Sequence, residues 1–94
     1  MGMVLLDVTF RVERAFGIDM PRDGWSEMGI QRAGDDVTVG QYHAYIRAQC
    51  EAQGKPIPTD SWPVLVRLIC DASGCRENEI TPQTWLIKDI APCG

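Results

Sequence analysis

Four cysteines and one histidine are the side chains in this 94-residue chain best suited to metal or nucleophilic chemistry. A tetrahedral zinc site wants closely paired ligands, because one turn of backbone must offer two donors to one ion. The tightest cysteine spacing is C-x4-C (Cys70, Cys75). Cys50 and Cys93 stand apart, and His43 falls in a different predicted element. No Cys–His or Ser–His–Asp spacing is present, and no glycine-rich phosphate loop. These absences predict four reduced, packed thiols, no metal, no catalytic residues and no enzymatic activity. His43 lies off the inner stripe of its helix and reads as a solvated residue.

Three long helices are predicted to carry these side chains. Over residues 3–16, Leu5, Val8, Val12 and Phe16 fall on one face, at steps of three and four. Gly17 stops this helix and Pro21 bars its continuation. Met3, Leu6 and Phe10 form a second stripe beside the first. A second apolar stripe is either part of a wide core face or a surface for a partner. Residues 22–36 contain Gly24, Gly29 and Gly34, which disfavour a long helix. One short turn is expected over 26–31, with Trp25, Met28 and Ile30 against the core.

Asp36 or Thr38 is expected to cap the next helix, over 39–53. Its inner face is Val39, Tyr42, Ile46 and Cys50, flanked by Tyr45, and Gly54 ends it. Pro56 and Pro58 make 55–61 an extended connector. Asp60 or Ser61 caps the third helix, with Pro63 in its first turn. Leu65, Leu68, Ile69 and Ala72 form its inner face, and Gly74 ends it. Residues 75–90 read as a loop packed down by Ile80, Trp85, Leu86 and Ile87. The fold class is all-α, a small four-helix bundle of three main helices and one short one.

Composition bounds the function. The length and a 45% hydrophobic content suit one globular domain over 1–94. A net charge of −4 argues against nucleic-acid binding. No apolar run reaches the roughly 20 residues that span a bilayer. The N-terminus lacks a basic segment followed by an apolar one. The default expectation is a cytoplasmic protein without membrane partners.

Two stretches resemble parts of one family in exchanged order. VLLDVTFRVERAFGIDMP and DDVTVGQYHAYI resemble the second helix, the F-G-I-x-[IM]-P stop and the T-V-G start of the last helix of acyl carrier proteins, the phosphopantetheine-binding carriers. SWPVLVRLICDASGCRENEITPQTWLIKDI resembles the first helix and following loop of the same family. The resemblance implies a circularly permuted carrier domain. In it, 1–54 correspond to the second to last helices, 55–60 are a new linker, and 61–94 are the front third. Only the linker and the enlarged 22–36 loop lie outside it.

Carriers hold 4′-phosphopantetheine on the serine of a D-S-L triplet. Counting back from Phe16 puts that triplet on Met1, Gly2 and Met3, and counting forward from Asp89 puts its aspartate and serine on Cys93 and Gly94. Glycine has no hydroxyl, so the resemblance implies no covalent cofactor on this chain as written. Ser26, Ser61 and Ser73 lie in the wrong context. What the family's partner contacts carry over to is Met3, Leu6, Asp7 and Phe10. The family's second helix is strongly acidic, whereas here Asp7 and Glu13 are mixed with Arg11, Arg14 and Arg22. The function this implies is an arm-less carrier-like module that docks onto proteins, acyl-transfer enzymes among them, in a fatty-acid- or polyketide-like pathway. The alternative is a working carrier whose serine lies outside this chain. The stripe of Met3, Leu6 and Phe10 could also pair two copies.

Overall fold

A computed structural model describes residues 2–21 and 23–90, with Gly2 and Met3 described by backbone alone. Helix α1 runs over Gly2–Phe16, a short α2 over Gly24–Glu27, α3 over Val39–Ala52 and α4 over Ser61–Ser73. A 3-10 turn at Glu77–Glu79 and a single π turn at Leu86–Ile90 follow. The described residues form a small helical bundle without strands, in which α1 packs on α4. Val8 and Val12 of α1, Tyr42 and Ile46 of α3, Leu65 and Ile69 of α4, and Leu86 of the π turn are wholly buried.

Glycines at positive φ end the long helices where the sequence predicts, with Gly17 at +67° and Gly74 at +82°. The inner faces differ in detail. On α1, Val4 rather than Leu5 heads the buried line through Val8, Val12 and Phe16. On α4 the buried residues are Ser61, Leu65, Val66, Ile69 and Ser73, while Leu68 and Ala72 are half-buried. Adjacent stripes on an apolar helix are equivalent by periodicity, and the position of the neighbouring helix chooses between them. The short helix forms at Gly24–Glu27, just ahead of the expected turn. Trp25, Met28 and Ile30 pack against the core as expected.

Thr38, not Asp36, caps α3. Its hydroxyl accepts the Gln41 amide at 3.1 Å, and the Gln41 side chain accepts the Thr38 N–H at 2.8 Å. Asp36 is thereby left to hold the loop after α4. Its Oδ1 accepts the N–H groups of Val37 at 2.8 Å and Ile87 at 2.9 Å, and its Oδ2 accepts that of Lys88 at 2.9 Å. A short antiparallel bridge of Thr38 with Trp85 extends the seam. Leu86 N–H donates to Val37 O at 2.9 Å, Val39 N–H to Thr84 O at 2.8 Å, and Gly40 N–H to Pro82 O at 3.0 Å. A Cβ at position 40 would stand 2.8 Å from that Pro82 oxygen, so close backbone approach accounts for the glycine.

Side chains tie the remaining connections down. The Asp19 N–H donates to Gln53 Oε1 at 2.8 Å, and Gln53 Nε2 returns a bond to Asp19 O at 2.7 Å. The Tyr45 hydroxyl donates to Glu27 at 2.6 Å and so fixes α2 to α3. Burial, and then that bond, push the Tyr45 pKa up to about 12. Tyr42 is the exception, because its buried hydroxyl lacks a hydrogen-bond partner among the described residues. Thr9 is near enough to oppose the rise in pKa that burial causes. Its own hydroxyl, however, donates to Leu5 O.

Asp36→Ala leaves three N–H groups without their acceptor and should cost about 2–4 kcal/mol in urea unfolding. Gly40→Ala forces the Pro82 backbone aside and should cost about 1–3 kcal/mol. Tyr42→Phe removes only an unsatisfied hydroxyl, so it should leave stability unchanged or raise it by about 1 kcal/mol. A clear drop in its melting temperature would show that the hydroxyl is bonded after all.

Candidate docking surface

Because Val4, Val8, Val12 and Phe16 face the core, the helix period turns Leu6 and Phe10 outward. They are 50% and 56% exposed, which is unusual for large apolar side chains one turn apart. Asp7 and Arg11 stand beside them, joined by a 3.1 Å ion pair across one turn. Arg14 is exposed one turn beyond Phe10. Of the sequence-predicted docking set, Leu6, Asp7 and Phe10 thus share the outer side of α1. The Met3 side chain lies outside the described residues.

The structure adds neighbours that the helix period alone could not supply. A recess of about 480 Å³ next to Leu6 is lined by Leu5, Trp25, Ile30 and Ile87. Ile30 and Ile87 also line a second recess, of about 780 Å³, with Trp85, Arg32 and Lys88 at its border. The two form one open trough from α1 to the π turn. The Trp25 ring stacks on Tyr42, with centroids 5.3 Å apart and planes at 18°, which anchors that wall to the core. Trp85, expected as a buried anchor, is 41% exposed. It sits in the bridge with Thr38, where successive side chains point opposite ways, so Leu86 fills the core and Trp85 faces out.

The groups capable of chemistry are arranged differently from the sequence reading. His43 is not solvated: it is half-buried, its Nε2 is 2.9 Å from Ser61 Oγ, and its ring meets Trp62 edge-on at 5.3 Å. A Ser–His contact therefore exists that chain spacing did not reveal, linking α3 to the start of α4. Ser61 is buried, at 6% exposure, so this contact closes a helix junction and offers no open nucleophile. Asp60 precedes α4 without a side-chain capping bond, contrary to one expectation.

Cys50, Cys70 and Cys75 are free thiols, and Cys93 and Gly94 lie outside the described residues. Burial raises the Cys50 pKa, and burial with nearby Glu77 raises that of Cys70. Both thiols stay protonated at neutral pH, the unreactive form. Among the described residues no group of three or more His, Cys, Asp or Glu is placed to hold a metal ion. No helix among them is long and apolar enough to cross a membrane. No protein-family model, curated protein or solved structure matches the chain.

Burial, and then the charge of Arg47, hold the His43 pKa below its ordinary value. The unfolded chain then binds the proton more readily than the folded one. The stability tied to neutral His43 is complete above about pH 6.5 and is lost as pH falls through the lower, folded pKa. Urea midpoints measured from pH 7.5 to pH 5 should fall more steeply for the wild type than for His43→Gln. Parallel curves would rule this linkage out.

Proposed function

We propose that this chain is an acyl-carrier-like docking module that works through protein contact and carries no covalent arm. One observation bears most of the weight: Leu6 and Phe10 stand exposed on α1 at positions where the resemblance puts the carrier family's partner contacts. Three long helices and one short one agree with the architecture that the resemblance implies. Leu5 and Leu6 share a recess with Ile87, so the start of α1 lies beside the π turn. A permuted carrier needs its two halves to meet there. The T-V-G motif also has a physical reason here, since Gly40 admits the Pro82 backbone.

The proposal assigns no catalytic role to His43, Ser61 or the cysteines. It leaves phosphopantetheine out, because the family's serine position falls on Gly2 in one direction and Gly94 in the other. Acyl-transfer enzymes are the partner class this reading favours.

Incubation with coenzyme A and a broad-specificity phosphopantetheinyl transferase, followed by intact-mass measurement, tests it. The wild type should keep its mass, and Gly2→Ser should gain one phosphopantetheine. A gain by the wild type would refute the arm-less reading. Failure of both Gly2→Ser and Gly94→Ser to react would remove the support for a carrier-like surface.

A further inference from the structure

Cys70 and Cys75 are separated by the break that ends α4. In a continuous helix, residues five apart stand about 7.5 Å apart along the axis. That is beyond the span of about 4.4–6.8 Å between the Cα atoms of a disulfide. Here the helix does not continue. Gly74 takes φ +82°, its N–H donates to Cys70 O at 2.8 Å, and the chain folds back over the last turn. The residue after such a glycine commonly meets the residue five before it, which here is Cys70.

Further bonds hold Cys75 in that place. The Ser73 hydroxyl donates to Ile69 O at 2.6 Å and accepts the Cys75 N–H at 3.2 Å. Glu79 Oε1 accepts the next amide, that of Arg76, at 3.1 Å. Both cysteines are half-buried and pack on the core. After burial and Glu77, the charge of Cys75 is the next cause that raises the Cys70 pKa, so the two sulfurs lie within electrostatic reach. Access differs among the thiols. Cys75 lines an open recess of about 280 Å³ with Glu79, Thr84 and Ile90, whereas Cys50 is wholly buried on α3.

We propose that Cys70 and Cys75 form a redox-active dithiol, which a low-molecular-weight disulfide oxidises to a bond across the end of α4. The site is independent of the docking function. Cys75 loses its proton and attacks one sulfur of the reagent, forming a mixed disulfide and releasing one thiolate. Cys70 then loses its proton and attacks the Cys75 sulfur, which closes the protein disulfide and releases the second thiolate. The two protons end on the two released thiols, and the two electrons lost by the protein are gained by the reagent. A protonated Cys70 is a poor nucleophile toward a reagent in solution. The second step is intramolecular, and the closeness of its target offsets the small thiolate fraction. Asp71, Glu77 and Glu79 disfavour a thiolate at Cys70 but not an uncharged disulfide.

Oxidised glutathione is the probe, applied to the full chain and followed by alkylation in denaturant, trypsin and mass measurement. The tryptic peptide of residues 68–76 contains both cysteines, whereas Cys50 and Cys93 fall in others. Peptide 68–76 should lose two hydrogen atoms in mass and escape alkylation, and reduction should restore both. Cys70→Ser should leave one glutathione trapped on Cys75, because no second thiol is there to release it. Cys75→Ser should leave Cys70 alkylated rather than oxidised. Alkylation of both cysteines in the treated wild type, or a glutathione that stays on Cys75 with Cys70 intact, would overturn the proposal. So would a bond from either cysteine to Cys93 or to a second copy of the chain. The wild-type peptide decides the outcome by itself if either variant unfolds.

Discussion

The Asp36 carboxylate ties the segment after α4 to the start of α3. Residues 75–90 contain only a 3-10 turn and a π turn, too little regular structure to seat themselves. Ile80, Leu86 and Ile90 anchor them in the core, and the amides of Ile87 and Lys88 end on one carboxylate just before α3. Hydrogen bonds to an ionised acceptor are stronger than neutral ones, and three of them converge here with the Thr38–Trp85 bridge. Leu86 enters the core from that seam while Trp85 is turned to solvent. The same seam brings Ile87 alongside α1, which completes the trough.

Helix α1 divides its apolar residues between two tasks. Val4, Val8, Val12 and Phe16 supply the core, and Leu6 and Phe10 are left outside at a hydration cost that packing within this chain does not relieve. A partner that covers them removes that apolar area from water. The surrounding Asp7, Arg11 and Arg14 make this helix mixed in charge.

Two thiols are held in their neutral form by burial, and the Ser61–His43 contact is closed inside a helix junction. What the surface presents is shape and charge, with Trp25, Ile30 and Ile87 lining a trough fixed to the core through Tyr42.

Much of the fold was legible in the residues alone. The helix stops at Gly17, Gly54 and Gly74 and the buried set Val39, Tyr42, Ile46 and Cys50 follow from local rules, because capping, glycine geometry and the 3.6-residue period act within a few residues, whereas the stripe of Leu6 and Phe10 was found by period but its exposure was not. Tertiary structure alone decided whether Val4 or Leu5 faced the core, since both lie on plausible stripes and only the placement of α4 distinguishes them. It likewise decided that Asp36 binds amides some fifty residues away, that His43 meets Ser61, and that Trp85 faces out. These contacts join residues far apart in the chain, and neither periodicity nor spacing records which distant backbone will arrive beside a given side chain.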